Sequence, residues 1–269
     1  MINTTDAEGL CRQACLIAEQ AGRFIRQEMG RVVERDVEEK ALNSLVSYVD
    51  KTAEAQLVEA LSELLPGSVF LTEEATVEQQ SGALQWIIDP LDGTTNFLFQ
   101  VPVFSVSIAL QAAGQTILGV VYEVNRQECF YAWRGGGAFL NGQPIGVSQR
   151  GPLERCLLAT GFPYYDYERT ARYFTALEYL MRHSRGIRRL GSAAVDLAYV
   201  ACGRFDGFFE YSLHPWDVAA GAFIVQEAGG RVTDFRGGTD FLHGAEIIAS
   251  NAAIAPELLQ AIRQAFYAG

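Results

Sequence analysis

Apolar residues recur along this chain with two periods, one near 3.6 and one near 2, and the switches between them divide it into helices and strands. Leu10, Ile17, Ala21, Phe24 and Ile25 fall on one helical stripe. Thr5 and Glu8 form a capping-box pattern ahead of it, so the first element is predicted as a helix ending near Gly30. A second helix is predicted from Asp50 to Leu65, with Ala53, Leu57, Leu61 and Leu64 facing inward and Pro66-Gly67 stopping it. Short strands are expected at Ser68 to Leu71 and Leu84 to Ile88. Val103 to Val124 reads as two strands joined around Ala113-Gly114, and Glu128 to Trp133 as a third, which makes the middle of the chain a largely antiparallel sheet. Gly135-Gly136-Gly137 matches neither phosphate-loop spacing, GxxxxGK[ST] or GxGxxG, and reads as a turn; Asn141-Gly142 is a hairpin signal.

An α/β rhythm follows. Strands are predicted at Leu157 to Thr160, Gly186 to Leu190, Gly207 to Tyr211 and Ile247 to Ala249. Between them stand helices from Glu168 to His183, Ser192 to Cys202 and Trp216 to Ala228, and a last helix begins at Pro256. The pattern predicts an α/β (α+β) molecule of layered helices and two sheets.

Composition narrows the setting. With 269 residues, 49% of them hydrophobic, the chain can bury a large core, either as one domain or as tightly joined halves of residues 1–145 and 146–269. A net charge of -11 argues against nucleic acid or an anionic membrane as the main partner, and an anionic substrate would need a cation between it and the protein. No apolar run reaches the roughly 20 residues of a membrane span. The N-terminus MINTTDAEGL lacks the basic and apolar regions of a signal peptide, so a cytoplasmic location is expected. Cys11, Cys15, Cys129, Cys156 and Cys202 are scattered among apolar neighbours and read as buried thiols in a reducing compartment. Cys11 and Cys15 share a helix face, but no further Cys or His stands nearby to complete a zinc set, and His183, His214 and His243 are dispersed.

The chemistry lies in the acids. Between Asp89 and Phe97 the chain reads DPLDGTTNF, directly after the apolar run Trp86-Ile87-Ile88. A strand ending in Asp89 delivers one carboxylate at its edge, and Pro90 is expected to end the ladder and fold Asp92 back toward it. Gly93 permits close backbone approach, while Thr94 and Thr95 can open a helix whose free N–H groups face an anion. Glu73-Glu74 stands just past another strand, and Asp217 opens a helix behind Pro215 and Trp216. Ionised acids brought together would repel, and a hard cation resolves the conflict. Oxygen-only ligands favour Mg²⁺, with Mn²⁺ as a substitute.

These motifs resemble those of the inositol monophosphatase family of Mg²⁺-dependent, Li⁺-sensitive phosphatases. LTEEA (Leu71 to Ala75), DPLDGTTNF and PWDVAAGAFIVQEAGG (Pro215 to Gly230) are similar to its three acidic motifs. LVSYVDKTAE (Leu45 to Glu54) resembles the segment with a further acid, Asp50, and GSAAVDLAYVACGRFDGFFE (Gly191 to Glu210) the substrate-contacting stretch. Leu71-Thr72 depart from the glycine or alanine of many members, a change expected to affect packing and not ligation. The resemblance implies an αβαβα sugar-phosphatase-like fold, with two sheets between helix layers, and a homodimer.

For the site, the resemblance implies that Glu73, Asp89 and the Leu91 carbonyl bind one Mg²⁺, that Asp89, Asp92 and Asp217 bind a second, and that a third shares Glu73. Gly93, Thr94 and Thr95 would hold phosphate; Gly191, Ser192, Ala193, Glu210 and Asp217 would contact the alcohol; Asp50 and Glu74 would stand behind. The expected reaction is hydrolysis of inositol monophosphate or a related sugar phosphate. A metal-activated water would be oriented by Glu73 and Thr94, with Asp50 polarising Thr94, and no covalent intermediate would form. Fructose 1,6-bisphosphate, 3′-phosphoadenosine 5′-phosphate and NADP are alternative substrates, with Arg188 and Arg189 candidates for a second phosphate. A non-catalytic metal-binding regulator is the alternative of another class.

Overall fold

The computed structural model describes residues 4–41, 44–163 and 167–267. Helix α1 (Thr4–Glu28) already includes Thr5, which therefore does not precede the helix as a cap. Its inward face is Ala7, Cys11, Ala14, Ala18, Ala21 and Ile25, while Leu10, Ile17 and Phe24 lie partly buried on the shoulders of that face. Strands β1 (Val37–Ala41) and β2 (Ser44–Ser47) form an antiparallel hairpin that hydrophobic periodicity did not predict, because VEEKA carries no apolar alternation. Helix α2 (Tyr48–Leu64) starts two residues earlier than expected. Asp50 is not its first residue but the acid of a capping box: Ser47 Oγ accepts from Val49 N at 3.1 Å and Asp50 Oδ2 accepts from Ser47 N at 2.9 Å.

The larger sheet takes its strands in chain order: β3 (Val69–Thr72), β4 (Leu84–Asp92), β5 (Ser105–Ala112), β6 (Gln115–Glu123), β7 (Glu128–Trp133), β8 (Gly137–Leu140) and β9 (Gln143–Ile145). Only β3 and β4 are parallel neighbours, as the antiparallel reading of the middle predicts. Asn141 and Gly142, at φ 47° and 82°, make the two-residue turn between β8 and β9.

Pro90 does not end the ladder. Strand β4 runs on to Asp92 through a bulge: Asp89 pairs with Ser107 and Asp92 with Ser105, so three steps on β4 oppose two on β5. A proline suits that position because the extra residue needs no ladder donor. The bulge has a direct consequence. Residues three apart on a regular strand point to opposite faces, whereas the partners of these two acids lie two apart on β5 and share a face. One inserted residue therefore turns both carboxylates toward the same side of the sheet, and Leu91 between them packs into the core on the other side.

The smaller sheet contains β10 (Leu157–Thr160), β11 (Gly186–Arg188), β12 (Gly207–Tyr211), β13 (Arg231–Thr233) and β14 (Glu246–Ser250) in the order β11-β10-β12-β14-β13. The three-residue strand β13 was too short to read from periodicity. The remaining helices are α3 (Thr94–Leu98), α4 (Thr170–His183), α5 (Ala193–Ala201), α6 (Pro215–Glu227) and α7 (Ala255–Tyr267). Helices α1 and α2 cover one face of the larger sheet, α5 and α6 fill the space between the sheets, and α4 and α7 close the outer face of the smaller one. This is the αβαβα layering, with the β1–β2 hairpin added at its edge. The central helices are enclosed on both sides, which explains their apolar sequence: Ala219, Ala220, Ala222, Ile224 and Val225 of α6 are all buried.

All five cysteines are free thiols. Cys15 interacts with Cys11 beside it and Cys129 on β7; hydrogen bonding to Cys11 and burial hold its thiol well above the ordinary range. Among the described residues no helix is long and apolar enough to cross a membrane.

Candidate active site

The ends of β3 and β4, the first turns of α3, α5 and α6, and strand β12 converge on one cavity. It is lined by Glu73, Asp89, Leu91, Asp92, Gly93, Thr94, Thr95, Gly191, Ser192, Ala193, Glu210 and Asp217, which are all the site residues that the resemblance implied except Asp50 and Glu74. Glu73 arrives because its N–H continues the parallel ladder, donating to Ile88 O at 3.2 Å, one residue before Asp89. Asp217 stands in the first turn of α6, where its Oδ2 accepts from His214 N at 2.7 Å. Gly93 caps α3 at φ 98°, and a Cβ there would approach Val103 O and Gly191 O to 3.1 and 3.2 Å, so only glycine fits without a shift. The first N–H groups of α3 have no acceptor within the helix and border the cavity.

Asp50 stands behind this lining. Thr94 Oγ1 donates to Asp50 Oδ1 at 2.9 Å, and the other carboxylate oxygen accepts from Ser47 N at 2.9 Å and Ser47 Oγ at 2.7 Å. The Thr94 hydroxyl also lies 3.1 Å from Leu91 O, so its one proton has two acceptors, of which Asp50 is the nearer. Asp92 is fixed from the opposite wall: Oδ2 accepts from Ser192 Oγ at 2.6 Å and from Ala194 N at 2.7 Å, which binds the end of β4 to the start of α5. Asn96 makes a parallel link through Nδ2, to Val103 O at 2.7 Å and Leu190 O at 2.9 Å.

Gathering these acids in one cavity has an electrostatic cost. Burial, then the charges of Glu73, Asp92 and Asp217, hold Asp89 well above the ordinary carboxylate range. Burial pushes Asp92 up to about 6 even though Ser192 and Ala194 stabilise its charged form. Asp217 is raised by burial and by Asp92 and Glu73. Each of these acids thus penalises ionisation of the others. Among the described residues no group of three or more His, Cys, Asp or Glu side chains is already gathered closely enough to hold a metal ion. The donor set is nevertheless the right one for a hard cation: carboxylates and a backbone carbonyl, without sulfur, around one polar cavity.

Several lining residues were not singled out from sequence. Gly161, just after β10, leaves room for Glu210, whose carboxylate would lie 1.9 Å from a Cβ placed there. Asp196 of α5, only 1% exposed, also lines the cavity; Arg189, one of the two arginines proposed for a second phosphate, lines it as well. Arg188, proposed with Arg189 for a second phosphate, is exposed and lies outside the lining; its Nη1 donates to Ile187 O at 3.0 Å. His214, which looked dispersed, is at the cavity and stacks on Trp216 with ring centroids 4.8 Å apart. Glu54, the last residue of the motif around Asp50, is fully buried and accepts from Thr72 Oγ1, Glu74 N, Thr76 N and Thr76 Oγ1 at 2.7–2.8 Å. It thereby fixes the turn that carries Glu73. The departure at Thr72 supplies one of these bonds.

The sequence pattern described as the inositol monophosphatase family matches residues 6–267. An inositol-1-monophosphatase of Mesorhizobium japonicum is 42% identical over 248 residues, covering 92% of this chain and 93% of that protein. A protein of Escherichia coli strain K12 named Nus factor SuhB is 42% identical over 247 residues, covering 91% and 92%. The crystal structure of the extragenic suppressor protein suhB from Bartonella henselae superposes with a TM-score of 0.88 at 43% identity, covering 93% of this chain and 96% of that one.

Proposed function

The chain belongs to the inositol monophosphatase family, metal-dependent phosphatases of small phosphate esters, and on that premise we propose that it is a Mg²⁺-dependent phosphomonoesterase acting on inositol monophosphate or a related sugar phosphate. The observation that carries the reading is the meeting of Glu73, Asp89, Asp92 and Asp217, from three separate stretches of chain, in one cavity beside the first turn of α3.

Glu73, Asp89 and the Leu91 carbonyl would hold one Mg²⁺, and Asp89, Asp92 and Asp217 a second; a third would share Glu73, and Mn²⁺ could substitute. Bound there, the ions supply polarisation of the phosphoryl oxygens, a lowered pKa for water and stabilisation of the departing alkoxide. The protein's own groups do the positioning. The N–H groups of Gly93, Thr94 and Thr95 face the phosphate oxygens. Thr94, polarised by Asp50, would accept a hydrogen bond from the attacking water, and Glu73 would accept the other, so that water is aimed in line with the ester bond. Gly191, Ser192 and Ala193 border the alcohol, whose hydroxyls bond to Glu210 and Asp217. Phosphate-ester hydrolysis is slow enough that enzymes reach accelerations of up to ~10²¹, and dense charge neutralisation around one small cavity suits that demand.

Bisphosphate substrates fit less well, because Arg188 is outside the cavity and Arg189 faces Asp196 and Glu210. Relatives named Nus factor raise a non-catalytic reading, but a regulator has no need of this complete set of acids around Thr94. Phosphate release should be measured with Mg²⁺ on inositol 1-phosphate, fructose 1,6-bisphosphate, 3′-phosphoadenosine 5′-phosphate and NADP. Inositol 1-phosphate is expected to give the highest kcat/KM, with activity lost on chelation. Absence of release from every ester would refute the enzyme reading.

A further inference from the structure

Strand β5 lies beside β4, and Ser105 and Ser107 share its face with Ala109, which packs into the core between the sheets. Both serines are buried. A hydroxyl in such a place costs stability unless it is hydrogen-bonded, so its partner identifies its use. Ser107 Oγ donates to Trp216 O at 3.2 Å, which ties β5 to the residue before Asp217. Ser105 Oγ lies 3.3 Å from the Oγ of Ser192, the N-cap of α5, and stands behind the cavity lining, not in it.

The protons of this serine pair follow from their neighbours. Ser192 Oγ is 2.6 Å from Asp92 Oδ2 and accepts from Val195 N at 3.3 Å. A carboxylate that binds a cation is ionised and offers no proton, so the single proton of Ser192 goes to Asp92 and Ser105 donates to Ser192. The Ser192 hydroxyl then has its proton and both lone pairs engaged, which fixes its orientation. Asp92 is also the ladder partner of Ser105 across the bulge. Ser105, Ser192 and Asp92 therefore close a ring through β5, α5 and β4, and hydrogen bonds in such a chain polarise one another.

We infer that Ser105 is a positioning residue for the metal site: through Ser192 it holds the Asp92 carboxylate in place as a Mg²⁺ ligand, and so raises Mg²⁺ affinity without touching ion or substrate. The inference rests on the reading of Asp92 as a metal ligand and deepens it. Partners behind a ligand govern metal affinity because they set the ligand's orientation and basicity.

The test is calorimetric titration of Mg²⁺, with inorganic phosphate present, into the wild-type protein, Ser105→Ala, Ser192→Ala and the double variant. The fitted Kd does not depend on the fraction folded, which enters the stoichiometry instead, and thermal melting without Mg²⁺ reports any purely structural loss separately. Removing one hydrogen bond from the chain is expected to raise the Kd of Ser105→Ala by about three- to tenfold. Because the effect runs through Ser192, the double variant is expected to bind Mg²⁺ no more weakly than Ser192→Ala. A lower melting temperature with an unchanged Kd in Ser105→Ala would make Ser105 structural and overturn the inference. So would an equal loss of affinity from Ser105→Ala in the presence and absence of Ser192. A wild-type protein that takes up no Mg²⁺ overturns the metal reading itself, and this inference with it.

Discussion

Glu210 shows what a single side chain contributes when its surroundings are set by the rest of the chain. It lies in the middle of an apolar strand, and burial pushes its carboxyl up to about 8 although Arg189 favours the charged form. A carboxyl whose folded pKa exceeds its unfolded value, ordinarily about 4.3, binds its proton more tightly when folded. Its contribution to stability is therefore complete below pH 4 and is lost as pH rises through about 8. Glu210→Gln removes that titration. In the metal-free protein the melting temperature of the variant relative to wild type should rise steadily between pH 5 and pH 8; a difference independent of pH would refute this account of Glu210. Residues of this kind divide by how they could be found. Asp89, Asp92, Thr94 and Thr95 were legible because the chemistry is written within seven consecutive residues. Gly161 and Asp196 were not, since each gains its meaning from Glu210, which is brought near only by the pairing of β10 with β12.

At the scale of elements, the site depends on two local devices. One is the bulge at Pro90, which places both carboxylates of β4 on the face toward α5 and α6. The sequence announced a proline between two acids, but whether the strand stops or bulges is decided by Ser105 and Ser107 across the ladder, thirteen or more residues away. The other is Glu54, which joins α2 to the turn after β3. Its fully buried carboxyl group accepts four hydrogen bonds. Glu54→Gln puts an amide donor against some of these donors. It should lower stability by about 2–3 kcal/mol in urea unfolding, and reduce turnover because Glu73 loses its fixed position. A variant with unchanged midpoint and rate would show that the turn is held by β3 alone. Glu54 was hidden in the sequence because it shares a helix face with Ala53, Leu57 and Leu61, where periodicity marks only the interior.

For the whole molecule, the layers could be read from the chain because each has its own period: long amphipathic stripes for α1 and α2, alternating or continuous apolar runs for the strands, and all-round apolar sequence for α5 and α6. The charged β1–β2 hairpin and the three-residue β13 have no such period and became visible only in the structure. The fold brings acids from residues 73, 89, 92 and 217 to a single cavity in a protein of net charge -11. Such a surface receives a phosphate ester only when cations stand between them, so the account depends on carboxylates that act as ligands. The most direct test is Mg²⁺-dependent phosphate release from inositol 1-phosphate by Asp92→Asn beside the wild-type protein, with circular dichroism verifying that both are folded. The account predicts a folded variant whose kcat has fallen by about 10³ or more. A folded Asp92→Asn protein that retains most of the wild-type rate would contradict it.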